Sequence, residues 1–364
     1  EEAVNSYTKT YMAGNQALGR NLDANAMRNH FYRFPGVDND KDKTLSAMLR
    51  MAVIAQTQER YEKAPVETDE QRAEKAALEG LVKQLFVELK RDFKPSDLPP
   101  YTLVKLGMHL AGTSQPEESI AYFDEILDPS EPDPVRKKAR INGMSKYRKN
   151  AVFGKAVALG RSKDNAKVDT AIKMMRDELS KEESSANPDR KAMEDAQYNL
   201  VKFTSARQDW PAVIAAADKY RENKTYKKNL PEVLYLQGEA YLKQNELDKA
   251  LINFMNITGT YKGLVKWSAP AVLAQMDTLW KRNTMSQGAG KQPSDRYVAW
   301  KAGSQYVQLL DTPANRKKMT AEDSALVNEV KDKTAKFGSD PAVSQERADI
   351  AAYEAAVRAA KGQK

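Results

Sequence analysis

The chain has 364 residues, of which 41% are apolar and 30% charged, with 17 glycines, 16 prolines, two histidines and no cysteine. That balance suits a chain of many short amphipathic helices, and it excludes a disulfide scaffold and the usual nitrogen- and sulfur-ligated zinc site. The 58 Lys and Arg against 50 Asp and Glu give a net charge of +8, and no run approaches the ~20 consecutive apolar residues of a membrane span. The chain is therefore expected to be soluble and not membrane-spanning.

Residues 2–33 carry Val4, Tyr7, Tyr11 and Leu18 at helical spacing, interrupted by a polar loop from Asn21 to Asn25. Phe34-Pro35-Gly36 is a clear break. A second helix is predicted from Thr44 to Tyr61, with Leu45, Met48, Leu49, Ala52 and Val53 on one face. After Ala64-Pro65, Thr68 is a candidate cap for a long helix through Leu78, Leu81, Val82, Leu85, Phe86 and Leu89. The prolines between Pro95 and Pro100 stop it. Residues 1–99 are thus expected to form N-terminal helical hairpins.

The next segment reads Leu103-x2-Leu106-Gly107-x2-Leu110, then Ser119-x3-Phe123, then Pro129. The small residues Gly107 and Ser119 and the aromatic Phe123 mark this segment. A helix from Val135 to Leu159 and a partner from Lys167 to Leu179, carrying Ala171, Ile172 and Met175, follow on periodicity alone. Ser180 to Pro188 is read as a loop. Residues 190–222 hold Leu200-Val201-x2-Thr204 and Val213-x3-Ala217, with Trp210-Pro211 opening the second helix. The clearest unit is Leu234-x2-Gln237-Gly238-x2-Tyr241 followed by Ala250-x3-Phe254. Its spacing from Gly238 to Ala250 is twelve, as it is from Gly107 to Ser119 and from Val201 to Val213. A helix from Leu264 to Lys281 contains Trp267, Leu273, Met276 and Trp280. Residues 283–295, NTMSQGAGKQPSD, form a loop or linker, read as a hinge or as an insertion on a binding face. Helices near 294–310, 320–336 and 341–361 complete residues 296–364, and the last, with Arg347, Glu354 and Arg358, would suit a polar cap.

These units resemble the tetratricopeptide pattern W-x2-L-G-x2-Y…A-x3-F…P, a helix–turn–helix of about 34 residues. Leu103 stands where Trp is usual and Leu110 where Tyr is usual. The resemblance implies an all-α fold, an α-solenoid of antiparallel helical hairpins wound as a right-handed superhelix, with the array over 100–282. Repeat packing would then rest on Leu106, Gly107, Ser119, Phe123, Leu200, Gly238, Tyr241, Ala250 and Phe254. The family's concave face is formed by positions two, five, nine and twelve of each first helix. Those positions are Tyr101, Val104, Met108 and Ala111; Asp195, Tyr198, Lys202 and Ser205; and Glu232, Tyr235, Glu239 and Leu242. The expected protein-binding residues are Tyr101, Val104, Met108, Tyr198, Lys202, Glu232, Tyr235 and Glu239. Each set contains a tyrosine, which offers contact area at low entropic cost; the alternative is that these tyrosines are half-buried structure. Some family members clamp a C-terminal carboxylate with Lys and Asn on successive first helices. Here position nine holds Met108, Lys202 and Glu239, so that pattern is not reproduced.

Catalytic constellations are absent from the sequence. His30 and His109 lie far apart, and His109 reads as a partly buried helix residue rather than a ligand. No P-loop, nucleophile elbow or dinucleotide fingerprint occurs. Asp38-Asn39-Asp40 with Asp42 begins like a calcium loop but lacks its glycine and distal glutamate. Glu117-Glu118 and Glu182-Glu183 read as exposed helix charges. No cofactor, metal or catalytic residue is expected. Three basic runs, Arg136 to Arg140 with Lys146, Arg148 and Lys149, then Lys224, Lys227 and Lys228, then Arg316 to Lys318, are read as covering helix ends. No nucleic-acid partner is expected.

The chain begins at Glu1 without a charged-then-apolar leader, which suggests a removed signal peptide or a trimmed chain. The expectation is a periplasmic, secreted or cell-envelope protein, with the cytoplasm as the alternative. The expected function is a non-catalytic scaffold for protein–protein interaction. It would bind a protein or peptide segment on the concave face, within a bacterial envelope assembly. A self-associating structural subunit of a filament, layer or multisubunit complex is the alternative, and binding of an anionic polymer along the basic face is a third reading.

Overall fold

The computed structural model describes residues 6, 10, 11, 14, 43–66, 68–288, 290–316 and 319–362. The first predicted helix with its Asn21–Asn25 loop, the Phe34-Pro35-Gly36 break, the acidic run from Asp38, His30, and Lys317 and Lys318 of the third basic run lie outside the described residues. All regular structure among the described residues is helical, packed in consecutive pairs, so the fold of the described residues is all-α. It divides into two compact units, Glu1–Met174 and Met175–Lys364.

In the first unit, α1 (Lys43–Lys63) pairs with α2 (Asp69–Asp92). Thr68 caps α2 with a full capping box: its hydroxyl accepts from the Gln71 amide, and the Gln71 side chain accepts from the Thr68 amide. α3 (Pro100–Ala111) leads through a short 3₁₀ turn at Pro116–Ser119 into α4 (Ile120–Leu127). Phe123 is fully buried between α3 and α6 (Arg148–Gly160). A Cβ at Gly107 would stand 2.8 Å from Phe123 Cε1, and a Cβ at Gly154 would come closer still to the same ring. Both glycines are required by the ring between them. Ser119 is likewise fully buried.

The single helix expected from Val135 to Leu159 is instead two. α5 (Pro134–Met144) starts at the Asp133 cap, and a 3₁₀ turn at Ser145–Tyr147 separates it from α6. Asn142, Gly143 and Ser145 are weak helix formers, and the break lets Met144 enter the core while the rest of α5 stays outside it.

The unit division falls inside α7 (Asn165–Glu183). This helix runs past Ser180, where a loop was expected, because Glu182 is buried and accepts from the Asp189 amide. The second unit continues with α8 (Arg190–Ala206), α9 (Trp210–Glu222), α10 (Leu230–Lys243), α11 (Leu247–Thr260) and α12 (Val265–Arg282). Asp209 caps α9 with Pro211 in its first turn. Gly238 on α10 faces the buried Phe254 ring of α11, with 2.6 Å from a hypothetical Cβ to Phe254 Cε1, and Ala250 is fully buried beside it. Gln237 is fully buried, yet it accepts from Arg221 Nη1 at 2.7 Å and donates to Asp218 Oδ1 at 2.7 Å, so both ends of its amide are satisfied.

The segment 283–294 lies within the second unit, not at its edge. Asn283 takes a left-handed conformation that ends α12. Asp295, in the first turn of α13 (Asp295–Leu310), accepts from Arg282 Nε at 2.8 Å and Nη2 at 2.6 Å and from the Thr284 amide at 2.8 Å. The loop is therefore tied at its base. The one-turn α14 (Pro313–Arg316), α15 (Ala321–Gly338) and α16 (Pro341–Gly362) complete the chain. Of the described side chains of α16, only Val343 is buried.

Candidate protein-interaction face

Helices α8, α10 and α12 are the first helices of successive hairpins, and α10 packs against both of the others. Tyr198 and Lys202 lie one turn apart on α8, and Glu232 lies in the first turn of α10. The Tyr198 hydroxyl donates to Glu232 Oε2 at 2.5 Å. Lys202 Nζ stands 3.5 Å from Glu232 Oε1 and 5.2 Å from the centre of the Tyr198 ring. Three of the expected binding residues, drawn from two hairpins, thus form one Tyr–Glu–Lys trio. Burial first, and then the bond to Glu232, hold the Tyr198 phenol well above its ordinary pKa. It therefore stays protonated and donates to the carboxylate.

Tyr235 and Glu239 form a second group on α10. The Tyr235 ring packs 5.9 Å from Phe254 and 6.4 Å from Trp267, both tilted. Its phenol is pushed up to about 12 by burial, then by the charge of Glu239 and the bond to it. Burial also pushes the Glu239 carboxyl up, and the Tyr235 bond and Lys243 only partly oppose this. Tyr235 thus joins α10 to α11 and α12 through its half-buried ring. Asp195, Ser205 and Leu242 are half-buried on the same helices, and burial raises the Asp195 carboxyl.

In the first unit the corresponding positions fare differently. Val104 and Ala111 are buried, Val104 within the core that α3 shares with the α1–α2 hairpin, so neither is available to a partner. His109 stacks on Phe86 of α2, with ring centres 3.9 Å apart. Tyr101 is half-buried with Lys105 over its ring at 5.7 Å, and Met108 is 55% exposed.

Gly154 was not singled out from the sequence, and Trp267 and Gln237 were placed there only as helix residues, without their partners. Only Trp267 carried a visible signal, as a large aromatic near the start of a helix that follows the best repeat. Among the described residues no group of three or more His, Asp or Glu is placed to hold a metal ion, and no helix is long and apolar enough to cross a membrane. No protein-family model matches the chain, and no curated protein matches it.

Proposed function

We propose that the chain is a non-catalytic scaffold that binds a protein or peptide segment along the face built by α8, α10 and α12, with a cell-envelope assembly as its setting. The tetratricopeptide resemblance supplies the expectation. The observation that carries it is the convergence of Tyr198, Lys202 and Glu232 across two hairpins, with Tyr235 and Glu239 one step further along. A row of half-buried tyrosines and charges on rigid helices offers preorganised hydrogen-bonding groups and aromatic area, which is the chemistry of an interaction surface. The test is affinity purification from envelope extract with the wild-type chain and a Tyr198→Ala/Tyr235→Ala variant that remains helical. A partner retained by the first and lost by the second is expected; failure to recover any partner, or equal recovery by both, sinks the reading.

A structural, self-associating subunit is the second reading, and one observation favours it. Ile252 and Met255 lie one turn apart on α11 and are 58% and 55% exposed. Light scattering over a concentration series separates the two: a monomer throughout rules out self-association.

A further inference from the structure

We infer that the corner formed by Tyr235 and Glu239, with Trp267 beside it, receives a lysine or arginine side chain from the segment bound on this face. The inference rests on the interaction reading above and adds the partner's chemistry.

The molecule contains its own control. At the α8–α10 step, an aromatic ring and a carboxylate, Tyr198 and Glu232, are completed by a cation of the same chain, Lys202. At the next step the ring and carboxylate recur as Tyr235 and Glu239, but the position matching Lys202 is occupied by Glu239 itself. No cation completes the group: among the described residues Glu239 makes no ion pair, and only the neighbouring Tyr235 hydroxyl and the Lys243 charge favour its ionised form against burial. A half-buried carboxylate without an ion pair is poorly compensated, and a cation is the group that would compensate it. The ring adds a second attraction, since a cation near an aromatic face is favoured by its quadrupole. Glu329 contributes further negative potential at Tyr235.

Two native lysines stand nearby and neither fills the position. Lys243 is exposed one turn along α10, where it acts on Glu239 through its charge without forming an ion pair. Lys266 lies over the Trp267 ring at 5.5 Å. An acidic segment would meet the negative potential of Glu239 and Glu329 at the Tyr235 ring, so charge complementarity selects a basic one.

The test uses the full chain and two small probes, N-acetyl-lysine methylamide and its uncharged norleucine analogue, titrated while the ring resonances of Tyr235 and Trp267 are followed by NMR. The lysine probe is expected to shift them saturably and to bind about fivefold tighter than the norleucine probe, a preference typical of a partly exposed cation–π and carboxylate site. Glu239→Gln should remove the preference, and Glu239→Lys, which supplies an internal cation as Lys202 does, should block the site. Equal response to both probes, or a lysine preference that survives Glu239→Gln, overturns the inference. The lysine–norleucine contrast is read in the wild-type chain, so it does not depend on a variant folding. An envelope partner recovered in the pull-down together with no lysine preference here would discard the cation site alone and leave the interaction reading in place.

Discussion

The ring of Phe123 occupies the space that a side chain at Gly154 would need. Phe123 comes from the second helix of one hairpin and Gly154 from α6 of the next, so this contact sets how closely consecutive hairpins stack. Gly154→Ala should therefore force the ring or the backbone to move, at a cost of about 1–3 kcal/mol by the usual penalty for overpacking. Gly80, inside α2, has nothing within 4 Å of a hypothetical Cβ. There the same substitution should stabilise the helix by up to about 1 kcal/mol through backbone entropy. Denaturant unfolding of the two variants should move the midpoint in opposite directions.

Asp295 is 2% exposed and is held by Arg282 and the Thr284 amide. Asp295→Ala leaves the Arg282 guanidinium with only the exposed Asp248 as a charged partner, at 2.5 Å, and leaves the Thr284 amide unpaired. A loss of about 1–3 kcal/mol is expected, chiefly from leaving the Thr284 amide without its acceptor, since the partly exposed Arg282 keeps Asp248. The loop 283–294 should also become the first site of limited proteolysis, because its base is no longer tied. Unchanged cleavage would show that other contacts, such as Ser294 to Glu346 at 2.8 Å, are enough to hold it.

The His109 imidazole is held below its ordinary pKa of 6.5, by burial against Phe86 first and by the Lys83 charge second. In the unfolded chain the ring takes a proton near pH 6.5, whereas in the folded chain it resists until lower pH. Above 6.5 both states are neutral and the group contributes nothing to pH dependence. As pH falls below 6.5 the unfolded state binds more protons, and stability declines until the folded-state pKa is passed. His109→Gln should flatten that limb in a series of melts from pH 7 to 5, and an identical slope in both proteins would contradict the account.

Removing the Tyr198 hydroxyl with Tyr198→Phe takes one donor from Glu232 while Lys202 remains. The site is half-buried, so about 1 kcal/mol is expected. A double-mutant cycle with Glu232→Gln should show that the two losses are not additive. Additive losses would mean that the pair does not act as a unit.

The twelve-residue spacing from Gly107 to Ser119 and from Gly238 to Ala250 made the packing logic legible, because a glycine opposite a small residue and an aromatic is a local rule repeated along the chain. Thr68 as a cap and the loop at 283–295 were legible for the same reason, since capping and turn chemistry depend on near neighbours. The break in the helix after Met144 was not, because weak helix formers only end a helix when the core claims a residue there. Nor was the fate of Val104 and Ala111, which are buried in a core assembled from several helices of the first unit.

The sequence alone thus determined that the chain is helical and roughly where most of its helices lie, consequences of periodicity and local sterics. Only the tertiary structure decided which of the projected face residues meet. Tyr198, Lys202 and Glu232 come together, Glu239 beside Tyr235 forms no ion pair among the described residues, and Gly154 packs against Phe123. Each of these depends on how hairpins pack against one another, and a long-range contact of that kind leaves no period in the sequence.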